Sequence, residues 1–499
     1  MYISEIDLHT ESDVVRAEAQ ITWEEVDRSP ITLFFEVDAG FQDAFWADPN
    51  GFLLAAILPA WHAGEKRLKI DGSLCPVLCN NLESAMRMFD SWYPELGPRP
   101  TIEPSQGFEA VRPSEVPQTA SFLSCGIDSL STLRWDKLNL PPDHPAAIKA
   151  VLPICFTDVP GMATEHVSGR VQKLITSASR VAADAGIHSI PVKTNIMKLD
   201  DDGWFHTQKW LDAMLTTPGY FLSRRFSRFY IAPSSTSPHL GSSGTNPLLS
   251  SWYSSGHVHV QHHGVITMSR FERTALVADW PVGLQNILVC TQSKQSFEIK
   301  NCGKCEKCIR TMMALEALGK LKESPAFPID EVTPELLYTL EEYNMRYSFW
   351  YHRSLVPLLK ERGRHDLVEA IEHLSELRDQ NKPEPELTAE DIAELVPRGN
   401  SVILPDERRS GHGNIVGRRA LRWGPPIGNK EAMHQFETLR QAGGKFVVFR
   451  KSVLWWLNYY PELNRHLREQ FTCIAENDRF VVFDLQEQSR TPDPQGAAS

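Results

Sequence analysis

The sequence predicts an α/β protein: a parallel sheet with helices on both faces, a small α+β N-terminal domain, and a helical, then α/β, C-terminal region. Three observations carry this reading. Between residues 118 and 325, short apolar β-type runs alternate with helical patterns, as βαβ units require. The chain has 499 residues, which at roughly 100–200 residues per domain implies two to four domains. Its 42 % hydrophobic and 23 % charged residues supply several cores and exclude a wholly disordered or fibrous chain.

Residues 1–100 read as the small α+β domain. Val14–Trp23 and Ile31–Val37 are β-like, Phe52–Ala63 is a buried helix, Arg67–Ile70 a short strand, and Pro76–Trp92 a second helix with apolar residues near helical spacing. Cys75 and Cys79 are four apart at the start of that helix. No further Cys or His follows at ligand spacing, so both read as small buried hydrophobes. Pro98–Pro117 holds five prolines and reads as a linker.

Residues 118–325 form the expected core. Ala120–Leu123 is a strand and Ser129–Leu138 a helix. Ala146–Phe156 is a strand, Glu165–Ala185 a helix, and His188–Thr194, Arg228–Ala232 and Val258–Gln261 are further strands. Pro233–Ser255, rich in Ser, Gly and Pro, reads as an active-site loop at the strand C-termini, where open α/β sheets bind ligands. Residues 326–400 look helical. Asn381–Glu386 and Pro397–Gly413 read as linker, residues 410–487 as a last small α/β domain, and residues 491–499 as a disordered tail. Trp455, Trp456, Tyr459 and Tyr460 read as core aromatics.

The chemistry concentrates in Ser124-Cys125-Gly126-Ile127-Asp128-Ser129, where an apolar strand runs into a helix. Successive backbone N–H groups in such a turn form an anion nest, and the helix N-terminus adds free donors and the positive end of its dipole. Gly126 permits close approach to a phosphate, and Ser124 and Ser129 offer hydroxyl donors. Asp128 caps the helix or holds Mg²⁺. The GK[ST] ending of a Walker A loop is absent. Arg270 and Arg273, opening a later helix, are placed to meet phosphates or an acidic substrate. Lys193 at a strand end and Asn195 beside it are further candidates.

Cys302, Cys305 and Cys308 stand at CxxCxxC spacing, with Cys290 twelve residues upstream. Four thiolates suit tetrahedral Zn²⁺ in a closed, structural site, and Lys304 and Lys307 offset their charge. An iron–sulfur cluster uses similar spacing, but four candidates without a CxxxCP ending favour zinc. His257, His259, His262 and His263 lack a carboxylate pair to complete a metal site and read as the polar wall of a pocket or as surface. His257 and His259 are expected on one face of a strand, and His263 is best placed for substrate contact.

The SCGIDS turn resembles the SGGxDS pyrophosphate loop of the PP-loop ATP pyrophosphatases. With C-x₁₁-C-x₂-C-x₂-C behind it, the core resembles 7-cyano-7-deazaguanine synthase-like proteins over residues 118–325. The resemblance implies an adenine nucleotide α-hydrolase-like core that cleaves ATP between its α- and β-phosphates. Such an enzyme activates a carboxylate as an adenylate, releases pyrophosphate, and joins the acyl group to ammonia or an amine. It implies ATP, Mg²⁺ and Zn²⁺ as cofactors. Ser124, Cys125, Gly126, Ile127, Asp128 and Ser129 would cradle the phosphates, and Cys290, Cys302, Cys305 and Cys308 would hold zinc. Asp128, Arg270 and Lys193 would be the catalytic side chains. One departure is Cys125, which replaces the first glycine of the family loop. A positive φ there would strain an L-residue by about 1–2 kcal/mol. Pro233–Ser255 shows no counterpart of the purine-recognition segment. The substrate is therefore expected among 7-carboxy-7-deazaguanine and related carboxylates. Enlarged relatives in antiviral defence attach a deazaguanine to a protein, so a protein partner on the extra domains is a further expectation.

Two other function classes compete: a scaffold or binding protein that kept the fold and zinc without turnover, and a tRNA-modifying PP-loop enzyme. The net charge of −12 opposes general nucleic-acid binding. No apolar run reaches membrane-spanning length, and the acidic N-terminus lacks the basic region of a signal peptide. Nine cysteines at low density fit a reducing, cytoplasmic compartment. A homodimer is compatible with the sequence.

Overall fold

The computed structural model describes the chain apart from residues 94–95, 111–117, 161, 235, 238–239, 291–300, 341–348, 381–394, 398, 406–418, 424–428, 451–452, 478 and 487–499. The chain divides into two compact units. One comprises Met1–Met88 with Leu96–Arg378, the other Phe89–Glu95 with Asp379–Ser499.

The first unit holds two sheets. Its N-terminal strands are β1 (Tyr2–Thr10), β2 (Val14–Thr22), β3 (Ile31–Asp38), β4 (Arg67–Ile70) and β5 (Thr101–Pro104). In the core follow β6 (Thr119–Phe122), β7 (Ile148–Leu152), β8 (Ile154–Phe156), β9 (His188–Ser189), β10 (Val192–Thr194), β11 (Arg228–Ile231) and β12 (His259–His262). The seven-stranded mixed sheet runs β5-β4-β1-β2-β3-β10-β8, and the five-stranded sheet runs β12-β11-β6-β7-β9. Every pairing in the five-stranded sheet is parallel, so the α/β expectation holds there, with Ile127–Asn139, Thr164–Asp184 and Arg270–Ala278 among its helices.

Residues 1–100 do not stand as a separate domain, because β3 pairs with β10 of the core. Two prolines explain the junction. Ala146–Phe156 and His188–Thr194 each read as one strand, but Pro153 and Pro191 divide them into β7/β8 and β9/β10. Proline has no N–H for the ladder. The chain bends there, and the second half of each strand joins the other sheet. The Val192 N–H still reaches Pro153 O at 2.9 Å, which keeps the two divided strands side by side.

The predicted Phe52–Ala63 helix is Pro49–His62, with every residue from Asn50 to Trp61 buried. Its apolar character is uniform around the helix, as a central helix requires. No helix among the described residues is long and apolar enough to cross a membrane.

The second unit carries β13 (Ser401–Pro405), β14 (Arg419–Trp423), β15 (Phe446–Arg450), β16 (Thr472–Glu476) and β17 (Phe480–Asp484), in order β14-β13-β15-β17-β16. The expected linker Pro397–Gly413 therefore contains β13, a strand buried at all five positions. Its continuous run Val-Ile-Leu is the pattern of a strand covered on both faces. Of the four aromatics read as core, Trp456 and Tyr460 are buried, while Trp455 and Tyr459 are exposed. The predicted tail and the Asn381–Glu386 linker lie outside the described residues.

Candidate functional site

In chain order the five parallel strands are β6, β7, β9, β11 and β12, so the order β12-β11-β6-β7-β9 reverses direction between β6 and β11. Such a switch point opens a crevice at the strand C-termini. The Ser124–Ser129 turn leaves β6 there, and Pro233 follows β11 there.

The positive φ in the turn falls on Cys125, at +56°, while Gly126 has φ −76°. Cys125 is fully buried, and its carbonyl accepts the Leu288 N–H at 2.8 Å. The left-handed residue thus turns the chain and docks it on the segment leading to Cys290. Strain of about 1–2 kcal/mol opposes burial of a small apolar side chain worth a similar amount. Cys125→Gly is therefore expected to change stability by less than about 1 kcal/mol, whereas β-branched Cys125→Val should lower it by about 2–3 kcal/mol. Denaturant unfolding of both variants measures the difference.

Gly126 is the N-cap of the Ile127–Asn139 helix, and no side chain caps it. The first-turn N–H groups are left for another acceptor. Ser124 and Ser129 cross-link the turn instead: their hydroxyls lie 3.2 Å apart, Ser129 Oγ accepts from Ser124 N, and it donates to Gly126 O. Ser124 is exposed, while Cys125, Ile127 and Ser129 are buried. Cys125 and Ile127 therefore present backbone, not side chain, to the crevice.

Asp128 neither caps the helix nor keeps a free oxygen. Arg270 Nη1 donates to Oδ2 at 2.8 Å and Arg273 Nη1 to Oδ1 at 2.6 Å, and Arg273 also donates to Pro233 O. Both arginines leave the Arg270–Ala278 helix, whose start is fixed by a capping box between Ser269 and Glu272. Arg273 is 1 % exposed, and its Nε has no hydrogen-bond partner. Burial opposes the charge on Arg270, but Asp128 overrides it and the pKa lies above the ordinary value. At Arg273 burial prevails over Asp128 and the pKa is lowered.

Two further cations join them from the Glu306–Leu318 helix. Burial, then the neighbouring cations, lowers the pKa of both Lys307 and Arg310. With Arg270, Arg273, Asp128 and Glu306 they form a group with more cations than carboxylates. Like charges gathered around the buried Arg273, with Lys307 as the exposed member of the group, call for an anion. Lys307 and Arg310 are three apart and share a helix face, a spacing visible in the sequence; the role of Arg310 was not read from it.

The helix that carries them has Cys305 at its N-cap position, without a side-chain cap bond, and holds Cys308 in its first turn. The ligand atoms of Cys290, Cys302, Cys305 and Cys308 all lie within 4.8 Å of one another, a group that could hold a metal ion. Cys302 and Cys308 sulfurs are 3.8 Å apart and those of Cys305 and Cys308 3.4 Å. Four Zn–S bonds of about 2.3 Å give tetrahedral edges of about 3.8 Å, so the cluster is compatible with zinc. The Lys304 and Cys305 N–H groups point at Cys302 Sγ. Gly303 has φ +71°, and a Cβ there would lie 2.8 Å from Pro328, so this turn requires glycine. Asn301 pins the approach: it accepts from the N–H groups of Val289 and Cys290 and donates to Ile287 O and Ala326 O.

Other candidates lie elsewhere. Lys193 is on β10, where its ammonium pairs with Glu36 at 3.1 Å, and Asn195 binds the β3 backbone. The structure does not bring either to Asp128. His263 is buried, caps a short 3₁₀ turn and packs on Trp135 and Tyr230, with burial pushing its pKa down to about 4. It is not placed for the expected substrate contact. His262 bonds Asp212 at 2.8 Å, and His259 pairs with Gln261. His257 precedes β12 and lies 3.8 Å from Asp48, so it does not share a strand face with His259. A cavity of about 220 Å³ opens beyond the ends of β8 and β10, lined by Thr157, Asp158, Met162, Val167, Met197 and Lys198. The Ser124–Ser129 turn does not line it; the chemistry argues for the switch point and the volume for this cleft, and the charge cluster decides for the former.

Compared with family models, curated proteins and solved structures, the chain matches none.

Proposed function

We propose that the first unit is an ATP-dependent, adenylate-forming ligase of the PP-loop pyrophosphatase type, similar to 7-cyano-7-deazaguanine synthase. The observation that carries this reading is the meeting of an uncapped helix start with four cations at a sheet switch point. In this reading, the N–H groups of residues 127–129 and the exposed Ser124 hydroxyl hold the β- and γ-phosphates, while Ser129 braces the turn. A substrate carboxylate oxygen attacks the α-phosphorus. The new O–P bond forms as the bridging α–β P–O bond breaks, and pyrophosphate leaves with the electron pair. Arg270, Arg273 and Lys307 stabilise the charge that grows on it. Ammonia or an amine then attacks the acyl carbon, AMP leaves, and the nitrogen releases a proton to solvent.

Asp128 acts here as a positioning residue that holds two guanidinium groups toward the crevice. Both its oxygens already accept hydrogen bonds, so Mg²⁺ belongs to the reading as the counter-ion carried by ATP, and no protein carboxylate is assigned to it. Lys193 is assigned no catalytic role. Zn²⁺ at the four cysteines is structural.

The test is incubation of the zinc-loaded full chain with MgATP, ammonium and a panel of carboxylates that includes 7-carboxy-7-deazaguanine. AMP and pyrophosphate are the expected products, and Asp128→Ala should slow their formation at least about a hundredfold. ADP and phosphate as products would contradict the reading. The engagement of both Asp128 oxygens favours one alternative, a nucleotide-binding protein without turnover. Saturable ATP binding with no AMP on any substrate would select it.

A further inference from the structure

A second group of ligand-type side chains is built from segments that the nucleotide site does not use. Leu74 and Phe108 form a parallel bridge, and the Glu109 N–H donates to Leu74 O at 2.9 Å. This backbone pairing sets Cys75 beside Glu109. The turn before β12 closes over both, as Gly256 N–H donates to Cys75 Sγ at 3.3 Å and Asn81 Nδ2 to Ser254 O at 2.9 Å. His257 thereby joins them. One ligand atom each from Cys75, Glu109 and His257 lies within 4.8 Å of the others.

A fourth residue points to an ion. Asp48 is 0 % exposed. Its Oδ1 accepts from the Asn50 backbone N–H and from Asn50 Nδ2, both at 2.9 Å. Its Oδ2 is buried without a hydrogen-bond partner, and so is His257 Nε2. The two atoms are 3.8 Å apart, too far for a hydrogen bond. Metal–nitrogen and metal–oxygen bonds of about 2.0–2.2 Å would place them about 3.4 Å apart on one tetrahedral ion. A shift of a few tenths of an ångström, on the order of ordinary thermal motion, closes that difference.

Asn50 locks the arrangement. Besides Asp48 it donates to Glu109 Oε1 at 3.0 Å and accepts the Cys75 N–H at 2.8 Å. One buried amide thus orients three of the four residues, as the supporting shell of a metal centre does. His257 keeps 19 % side-chain exposure, which gives an ion a way in.

We propose that Cys75, Glu109 and His257 form a second metal site, with Asp48 beside His257 as the carboxylate an ion would draw in, distinct from the four-cysteine knuckle, for a divalent cation of borderline softness such as Zn²⁺. A thiolate and an imidazole disfavour Mg²⁺ and Ca²⁺, which take oxygen ligands, and the two carboxylates disfavour Cu(I). The ion would fasten the N-terminal segment, through Asp48, Cys75 and Glu109, to the turn entering β12. This proposal does not rest on the nucleotide reading.

The test is the zinc content of the full chain after reconstitution with zinc and passage over chelating resin. Wild type is expected to retain two ions per chain, and His257→Ala and Cys75→Ser one each. A wild-type content of one ion, or two ions in both variants, overturns the proposal. Should the variants fail to fold, cobalt replacement in wild type reads the same site. Two cobalt ions per chain, with thiolate-to-cobalt absorption weaker per ion than a pure four-thiolate centre gives, supports it. One ion per chain with a pure four-thiolate spectrum overturns it.

Discussion

Cys308→Ser is expected to cost the first unit the zinc proposed at the four cysteines, at least about 5 kcal/mol of stability, and the proposed ATP-dependent activity. Structural zinc contributes apparent binding energies of about 10–16 kcal/mol, comparable with the whole stability of a typical domain at about 5–15 kcal/mol. Cys308 is fully buried, and its neighbouring thiols Cys290 and Cys305, then burial, hold its pKa far above the ordinary thiol value when no cation is present. Four thiolates cannot gather there without an ion to offset them. The damage should travel further than the knuckle. The same helix carries Lys307 and Arg310, and the segment entering Cys290 holds Cys125 through Leu288 N. Zinc content and thermal unfolding check this together. An unchanged zinc content with an unchanged melting temperature would show that Cys308 is not a ligand.

Arg273→Met is the second large effect. It should lower stability by about 3–5 kcal/mol, the range for breaking one partner from a buried ion pair. Asp128 would keep Arg270, yet Pro233 O would lose its donor and the switch point its clamp. Because part of the loss comes from Asp128 Oδ1 left without its donor, the double variant Asp128→Asn/Arg273→Met should regain about 2 kcal/mol over the sum of the two single losses. Denaturant unfolding of the four proteins gives the coupling directly. Additivity within about 0.5 kcal/mol would mean that the pair is not a unit.

What the sequence reveals depends on how local the cause is. The knuckle is legible because three ligands fall within seven residues. The strand-turn-helix order around Asp128 is legible because backbone geometry there is set by neighbours. Pro153 and Pro191 are visible too, but that they lie side by side and divide one sheet from the other depends on strand pairing across about 40 residues. In the N-terminal strand β1 the apolar positions change phase between Ile3 and the pair Ile6 and Leu8, because the ladder with β2 slips at Glu5, where φ is +52°, and so no single alternation marks the strand. Asp128 was expected to meet a metal or a cap. Its guanidinium partners lie 142 and 145 residues away, and only the folded sheet decides that contact. Asp48, Cys75, Glu109 and His257 are the extreme case, four single residues on four segments with no spacing to mark them.

Whether the switch-point crevice takes the triphosphate of ATP decides the proposed function. Calorimetry of the zinc-loaded full chain with MgATP and, separately, with AMP measures it. Saturable MgATP binding, at least about tenfold tighter than AMP and weakened about tenfold or more in Arg270→Ala, is the predicted result. No saturable MgATP binding, or equal affinity for AMP, would contradict it.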